Sequence, residues 1–207
     1  MTPLPRVKIC GVTRPADALL ASSLGACAIG MVFWPGSPRT LDRARAREIV
    51  LALPPFIASV GVFVDQPIDE VLATAEVVGL TAVQLHGDET PASYAALPRR
   101  VIKSVAVQDA SAEDRVAAVP LSATVLLDAH DPVRRGGTGR TIDWTFAASV
   151  ARRRPVILSG GLTPENIGAA VREVDPYAVD VSSGIESSPG QKDPAKLRAL
   201  FAALREL

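Results

Sequence analysis

Short apolar runs recur along the chain at intervals of about twenty to thirty residues, and each is followed by a segment with helical spacing. This alternation is typical of β-strands and α-helices that build a parallel sheet. Eight runs are predicted as strands: Val7–Val12, Ala28–Phe33, Ser59–Val64, Ala82–Gly87, Val101–Val107, Thr124–Ala129, Pro155–Gly161 and Ala178–Gly184. The predicted helices include Pro15–Leu24, Pro164–Val174 with Thr163 as its cap, and Pro194–Leu207.

Eight such units form either an open doubly wound sheet or a closed (β/α)₈ barrel. The open fold usually carries a glycine-rich turn after its first strand, whereas the first strand here ends in Lys8-Ile9-Cys10-Gly11. Glycines follow the seventh and eighth strands instead, which is where barrels commonly bind phosphate. We therefore predict an α/β fold, a single (β/α)₈ TIM barrel over residues 1–207 with no second domain.

Polar residues occupy alternate positions on several predicted strands. The polar set comprises Lys8, Cys10, Gln84, His86, Asp128, Asp180 and Ser182, and the positions between them are apolar. Because helices cover the outside of a barrel, the polar set is expected to face the interior and the open mouth. Cys10 and Asp128 are the last inward residues before their loops, so both are candidate catalytic residues. Lys8, Gln84 and Lys103 fit equally well as hydrogen-bonded groups that fill the interior.

Two glycine-rich turns are predicted to bind phosphate. Gly160 and Gly161 join a strand to a helix, and Ser182-Ser183-Gly184 follows the last strand. Glycine lets the backbone approach an anion closely, so that its N–H groups can donate to it. Arg39, in the proline-containing loop after the second strand, is a candidate for binding a carboxylate through two parallel hydrogen bonds.

Gly136, Gly137 and Gly139 form a third glycine-rich segment, after the sixth strand. It is not a nucleotide-binding P-loop, because Arg134 and Arg140 stand where that motif requires Gly and Lys. Two interpretations stay open: a mobile loop that closes over a substrate, or an ordinary glycine turn.

Composition narrows the range of partners. Lys plus Arg and Asp plus Glu both total 22, so no overall charge attracts nucleic acid or an anionic membrane. No signal peptide or membrane span is recognisable, and we expect a cytoplasmic protein with reduced cysteines. The chain has two histidines, and they lack the spacing of metal ligands. We therefore predict that the protein binds no metal and no other cofactor.

Taken in order, these motifs resemble the phosphoribosylanthranilate isomerase family of tryptophan biosynthesis. The resemblance rests on segments that span nearly the whole chain: Lys8-Ile9-Cys10-Gly11, Val32-Phe33-Trp34-Pro35 with Ser37-Pro38-Arg39, Val60-Gly61-Val62-Phe63-Val64, Val83-Gln84-Leu85-His86-Gly87, Leu127-Asp128-Ala129, Gly136-Gly137-Thr138-Gly139, Leu158-Ser159-Gly160-Gly161-Leu162 and Val179-Asp180-Val181-Ser182-Ser183-Gly184-Ile185-Glu186. It implies an Amadori rearrangement of N-(5-phosphoribosyl)anthranilate to 1-(2-carboxyphenylamino)-1-deoxyribulose 5-phosphate.

The resemblance also implies roles for individual residues. Asp128 is implied as the general acid that protonates the ring oxygen, and Cys10 as the general base that removes the C2 proton. Arg39 would bind the anthranilate carboxylate, with His86 and Asp180 as further substrate contacts. The chemistry requires that Asp128 hold a proton near neutral pH and that the pKa of the Cys10 thiol be lowered.

Three alternative functions are weighed against this interpretation, and the oligomeric state stays open. The related aminoaldose isomerases of histidine biosynthesis present a carboxylate where this chain has Cys10. A metal-dependent epimerase would need more histidines, and a silent phosphometabolite-binding barrel would need neither Cys10 nor Asp128. The partner is expected to be a small phosphorylated molecule, and the chain to be a monomer or a homodimer.

Overall fold

Eight parallel strands hydrogen-bond in chain order and close into a barrel, as β8 returns to pair with β1. The computed structural model describes residues 5–94, 97–109, 111–129 and 142–207. The strands are β1 (Arg6–Ile9), β2 (Ala28–Val32), β3 (Ala58–Phe63), β4 (Ala82–Leu85), β5 (Arg100–Val107), β6 (Thr124–Ala129), β7 (Val156–Leu158) and β8 (Ala178–Val181). The predicted TIM barrel is therefore confirmed, with strand ends that differ from the prediction by a few residues.

Among the described residues, seven helices connect these strands and an eighth follows the last one. They are α1 (Pro15–Leu24), α2 (Arg43–Ala52), α3 (Ile68–Val78), α4 (Pro91–Tyr94), α5 (Ala112–Ala118), α6 (Trp144–Ala151), α7 (Ile167–Val174) and α8 (Pro194–Arg205). In the part of the chain that the structure describes, no helix has both the length and the hydropathy needed to cross a membrane.

The start of α7 differs from the prediction. The side chain of Asn166 accepts a hydrogen bond from the backbone N–H of Thr163, and the Thr163 hydroxyl accepts one from the backbone N–H of Glu165. These two bonds hold residues 163–166 in a turn, so the helix begins at Ile167 and not at Pro164. The expected cap at Thr163 is thus part of the turn that precedes the helix.

The barrel wall separates two sets of side chains as the strand alternation predicts. Val7, Ile9, Val83 and Leu85 are buried in the large apolar layer between the strands and the helices. Inside the barrel, a smaller cluster is formed by Leu126, Ile157 and Ala178, with Ile102 packed against it. Burial of each large apolar side chain contributes about 1.5–3 kcal/mol. Because this inner cluster lies among residues early in their strands, polar residues later in the strands face the mouth.

A short hairpin follows β8 and was not predicted. After a 3₁₀ turn over Ser183–Ile185, strands β9 (Glu186–Ser188) and β10 (Gln191–Lys192) pair antiparallel. The backbone N–H of Lys192 donates to Asp17 in α1 at 3.1 Å. The Thr13 hydroxyl donates to the carbonyl oxygen of Gly190 at 2.5 Å. The hairpin is therefore fastened to the β1–α1 connection beside the mouth of the barrel.

Candidate active site

A cavity of about 80 Å³ opens at the carboxyl ends of the barrel strands. Most of the predicted site residues line it: Cys10, Arg39, His86, Asp128, Gly160, Gly161, Asp180, Ser182 and Ser183. Residues from the ends of β1, β4, β6 and β8 thus converge on one space, as alternation in a closed parallel barrel requires. Gly136, Gly137 and Gly139, predicted as a mobile loop, lie outside the described residues.

A larger cavity of about 550 Å³ lies beside the first one and shares His86 and Asp128 with it. Its other walls include Tyr94, Glu89 and Lys103, and Lys103 donates to the Glu89 carboxylate at 2.8 Å. We assign the site to the smaller cavity, because that one contains both Cys10 and Asp128 and the glycine turns. Size alone does not identify the place where chemistry occurs.

Cys10 lies at the end of β1 and is buried, with 8% of its surface exposed. Burial raises the pKa of its thiol; the cations Lys8 and Lys192 oppose that rise, and the Asp180 carboxylate adds to it. This direction is opposite to the lowering that a base requires, so the surroundings of Cys10 do not by themselves supply the lowered pKa expected from the sequence. Cys27, the other cysteine, lies at the opposite end of the barrel wall, and its thiol donates to the carbonyl of Val7 at 3.3 Å.

Lys8 and Asp180 form a buried ion pair below Cys10. The Lys8 amine donates to the Asp180 carboxylate at 2.9 Å, and the two side chains are 3% and 5% exposed. Their Cα atoms are register partners across β1 and β8, so the pairing follows directly from the strand register. Burial alone lowers the pKa of Lys8, but Asp180 and Cys10 outweigh it and leave that pKa raised. Lys8 therefore keeps its positive charge beside the thiol.

Asp128 is the end of a hydrogen-bonded series of side chains. Its carboxylate lies 3.1 Å from Nε2 of His86, and Nδ1 of His86 lies 2.9 Å from Nε2 of Gln84. Which group donates in each of these two contacts depends on which ring nitrogen of His86 carries the proton. Oε1 of Gln84 is buried without a partner in the described residues. His86 thus contacts the candidate acid as well as the cavity.

Arg39 is held by residues for which the sequence predicted no role. Its Nε and Nη2 donate to the Glu186 carboxylate at 2.9 and 2.6 Å, and Lys192 donates to the same carboxylate at 2.8 Å. Burial raises the pKa of Glu186, but Arg39 and Lys192 outweigh it and leave that pKa lowered. Glu186 is the last residue of the last family motif, and that position was the one feature of the sequence that could have identified it as a site residue. No feature of the sequence pointed to Lys192.

The packing around Arg39 depends on a glycine. Gly11 has φ +68°, and a Cβ at this position would lie 2.5 Å from Cδ of Arg39. Any other residue would therefore be strained and would displace the arginine. Arg39 lies directly against the backbone that follows Cys10.

The glycine turns after β7 and β8 pack against each other. Gly160 and Gly161 have φ values of +88° and +60°, which favour glycine. A Cβ on Gly184 would lie 2.0 Å from the carbonyl oxygen of Leu162, so the second turn fits against the first only with glycine. Within the described residues, the backbone N–H groups of Gly160 and Gly161 have no hydrogen-bond partner. Gly184 itself is not on the cavity wall, whereas Ser182 and Ser183 are.

Comparisons with known proteins agree with this geometry. A family model described as N-(5'-phosphoribosyl)anthranilate (PRA) isomerase matches residues 7–203. A relative from Geobacter metallireducens, named N-(5'-phosphoribosyl)anthranilate isomerase, is 51% identical over 93% of this chain and 95% of its own. The crystal structure of phosphoribosyl anthranilate isomerase from Thermotoga maritima has a TM-score of 0.90 and 41% identity, covering 98% of this chain and 100% of that one.

A second solved structure bears on the ligand. It is a phosphoribosyl anthranilate isomerase in complex with reduced 1-(o-carboxyphenylamino)-1-deoxyribulose 5-phosphate. It is 39% identical to this chain with a TM-score of 0.86, and the match covers 98% of this chain and 100% of that one. That ligand carries a carboxylate at one end and a phosphate at the other.

Proposed function

The chain belongs to the N-(5'-phosphoribosyl)anthranilate isomerase family, enzymes of tryptophan biosynthesis, and we propose that Cys10 and Asp128 are its general base and general acid. The observation that supports this most directly is that both side chains line one cavity at the barrel mouth. We also propose that residues 1–207 form one catalytic domain. A cytoplasmic location, and a state of monomer or homodimer, stay predictions.

The chemistry assigns each group one proton transfer. Asp128 donates a proton to the ring oxygen of N-(5-phosphoribosyl)anthranilate, and the C1–O bond breaks as the nitrogen lone pair forms a C1=N bond. Cys10 then removes the C2 proton, and the C2–H electrons form a C1=C2 bond while the C=N electrons return to nitrogen. Ketonisation of this enolamine gives the aminoketose. The reaction moves protons within one substrate, with no net gain or loss of electrons.

The two ends of the substrate match two kinds of group around the cavity. We place the phosphate on the turns with Gly160, Gly161, Ser182, Ser183 and Gly184. The N–H groups of Gly160 and Gly161 have no partner among the described residues, and the backbone conformations of these glycines suit an anion. Arg39, from the loop after β2, then takes the anthranilate carboxylate.

The sugar between these ends faces the remaining polar side chains of the cavity. Asp180 lies on the wall but already accepts from Lys8, so it offers its second oxygen to a sugar hydroxyl. His86 lies on the wall beside Asp128 and contacts both the acid and the space for the sugar.

The test is turnover of freshly generated N-(5-phosphoribosyl)anthranilate, followed by the loss of its fluorescence. We expect Cys10→Ala and Asp128→Asn each to lower kcat by about two orders of magnitude or more, as loss of general acid–base catalysis does. Cys27→Ser is the matched control, because Cys27 is the other cysteine and does not line the cavity. It should retain wild-type kcat.

Two results would contradict the assignment. Normal turnover of Cys10→Ala would exclude that residue as the base. A flat trace for the wild-type protein, together with saturable binding of the product analogue, would instead favour a silent binding barrel.

A further inference from the structure

One edge of the Arg39 guanidinium is occupied before any substrate arrives. Nε and Nη2 both donate to Glu186, and Lys192 and the backbone N–H of Gly190 donate to the same carboxylate at 2.8 and 3.2 Å. The side chains of Arg39, Glu186 and Lys192 are 12%, 5% and 0% exposed. Because water is excluded from these contacts, the guanidinium plane is fixed more firmly than in a surface ion pair.

The other end of the guanidinium is unpaired in the part of the chain that the structure describes. Nη1 of Arg39 has no hydrogen-bond partner among the described residues, and Arg39 lines the same cavity as Cys10. A guanidinium presents donors on more than one edge, so an arginine bound side-on by one carboxylate retains Nη1 and the second Nη2 proton for another. The free end can therefore bind a carboxylate without displacing Glu186.

The charges support the same conclusion. Burial lowers the pKa of Lys192, and the Glu186 carboxylate opposes that fall. With Arg39 and Lys192 protonated and Glu186 ionised, the buried trio has a net charge of +1. An Arg–Glu pair alone would be neutral and would attract a substrate carboxylate weakly. Lys192 compensates for Glu186 and leaves the arginine charge unneutralised.

The trio is anchored to elements on both sides of Cys10. Glu186 and Lys192 belong to the hairpin of β9 and β10, and Lys192 Nζ also donates to the carbonyl of Ser182 at 3.1 Å. Arg39 comes from the loop after β2 and rests on Gly11. The hairpin therefore acts as a fixed frame for an arginine supplied by another part of the chain.

We propose that Glu186 and Lys192 are positioning residues, which hold Arg39 so that its unpaired end selects substrates bearing the ring carboxylate. This inference rests on the proposed function and assigns the source of specificity for one end of its substrate. The opposite hypothesis is that Glu186 occupies the carboxylate site and competes with the substrate. The two hypotheses predict effects of opposite sign when Glu186 is neutralised while the net charge of the trio is kept constant.

The experiment compares two ligands by calorimetry. One is reduced 1-(o-carboxyphenylamino)-1-deoxyribulose 5-phosphate, and the other is the same compound without the ring carboxyl. The ratio of their Kd values measures the carboxylate contribution alone. A charged hydrogen-bonded contact predicts that the wild-type protein binds the first about ten- to a hundredfold more tightly.

Glu186→Gln alone would raise the net charge of the trio to +2, so it is combined with Lys192→Met, which keeps the net charge at +1 while the contacts that fix Arg39 are weakened. This double variant should reduce the ratio to about threefold or less, while the Kd of the ligand without carboxyl changes by less than about twofold. Lys192→Met should reduce it in the same direction, since Glu186 is then left to neutralise Arg39, and Lys192→Arg should restore it. Glu76→Gln is the matched control, because Glu76 also pairs with an arginine, Arg99 at 2.6 Å, but is 80% exposed and far from the cavity. Circular dichroism verifies folding of each variant.

Three outcomes overturn the proposal. An equal loss of affinity for both ligands in the double variant would show a purely structural role. A larger ratio would show that Glu186 competes with the substrate. A wild-type ratio near one would show that Arg39 does not bind the carboxylate. In each of these cases, wild-type turnover in the fluorescence assay separates failure of this inference from failure of the proposed function.

Discussion

Replacing Gly30 by alanine tests whether the position of the Cys10 thiol determines the rate. A Cβ added to Gly30 would lie 2.9 Å from Sγ of Cys10, 3.1 Å from Cα of Cys10 and 3.1 Å from Cε of Lys8. Heavy atoms of this kind pack at about 3.5–4.0 Å, so the thiol has to move by roughly 0.6–1.1 Å. The backbone of Cys10 is also approached too closely, and it cannot yield as easily as a side chain.

A displacement of about 1 Å at a reacting group costs roughly 100-fold in rate. We therefore expect Gly30→Ala to lower kcat/KM by about two orders of magnitude in the fluorescence assay. Overpacking costs about 1–3 kcal/mol of stability, which is less than the roughly 5–15 kcal/mol that keeps a typical domain folded. The variant should thus remain folded while it loses activity, and urea denaturation measures that cost directly.

Gly168→Ala is the control for the change from glycine to alanine. Gly168 lies within α7, and its added Cβ would meet nothing closer than 3.6 Å. Alanine in a helix interior is more stable than glycine by roughly 0.5–1 kcal/mol, and Gly168 lies in the first turn of α7, where the gain is smaller. This variant should therefore keep full activity and lose no stability. A folded Gly30→Ala variant with wild-type kcat/KM would refute the idea that the thiol must stay where it lies.

Two further predictions concern the charges next to the thiol. Folding raises the pKa of Cys10, and this shift stabilises the folded protein. The stabilisation is fully present below the ordinary thiol pKa of 9.0 and is lost as the pH rises through the folded-state pKa. The free energy of unfolding should accordingly fall with pH above this value more steeply in the wild type than in Cys10→Ala, and an equal slope would contradict the shift. Lys8→Met leaves the buried Asp180 charge unpaired and should lower the free energy of unfolding by about 3–5 kcal/mol, measured by urea denaturation. The double variant Lys8→Met with Asp180→Leu should recover most of that stability. Equal losses of stability in the single and double variants would contradict a buried ion pair.

The barrel and the convergence of Cys10 with Asp128 were predictable because both follow from periodicity. Alternation assigns one face to every second residue of a strand, and closure of a parallel sheet brings the ends of β1 and β6 to one mouth. The Lys8–Asp180 pair follows from the same rule, since the two residues are register partners. Such features need only the strand order and the identity of each residue.

The frame around Arg39 was not predictable for the opposite reason. Arg39 and Glu186 are 147 residues apart, and both lie outside the strands of the barrel, where no repeat relates one residue to another. Gly30 is similar, because inside a strand it has the pattern of any small buried residue. Its importance depends on a distance to Sγ of Cys10 that only coordinates supply. Contacts between loops and close approaches between strands therefore could not be predicted from the sequence pattern.

The buried lysines near Cys10 have a physical reason in the proposed reaction. One turnover leaves Asp128 without a proton and Cys10 with one, so Cys10 must be deprotonated and Asp128 reprotonated before the next turnover. Burial favours the protonated thiol, so deprotonation of Cys10 is the less favourable of these two steps. Lys8 and Lys192 are the cations that oppose this effect, although each is almost fully buried. Their positive charge is needed there because the burial that forms the site also raises the pKa of Cys10, its proposed base.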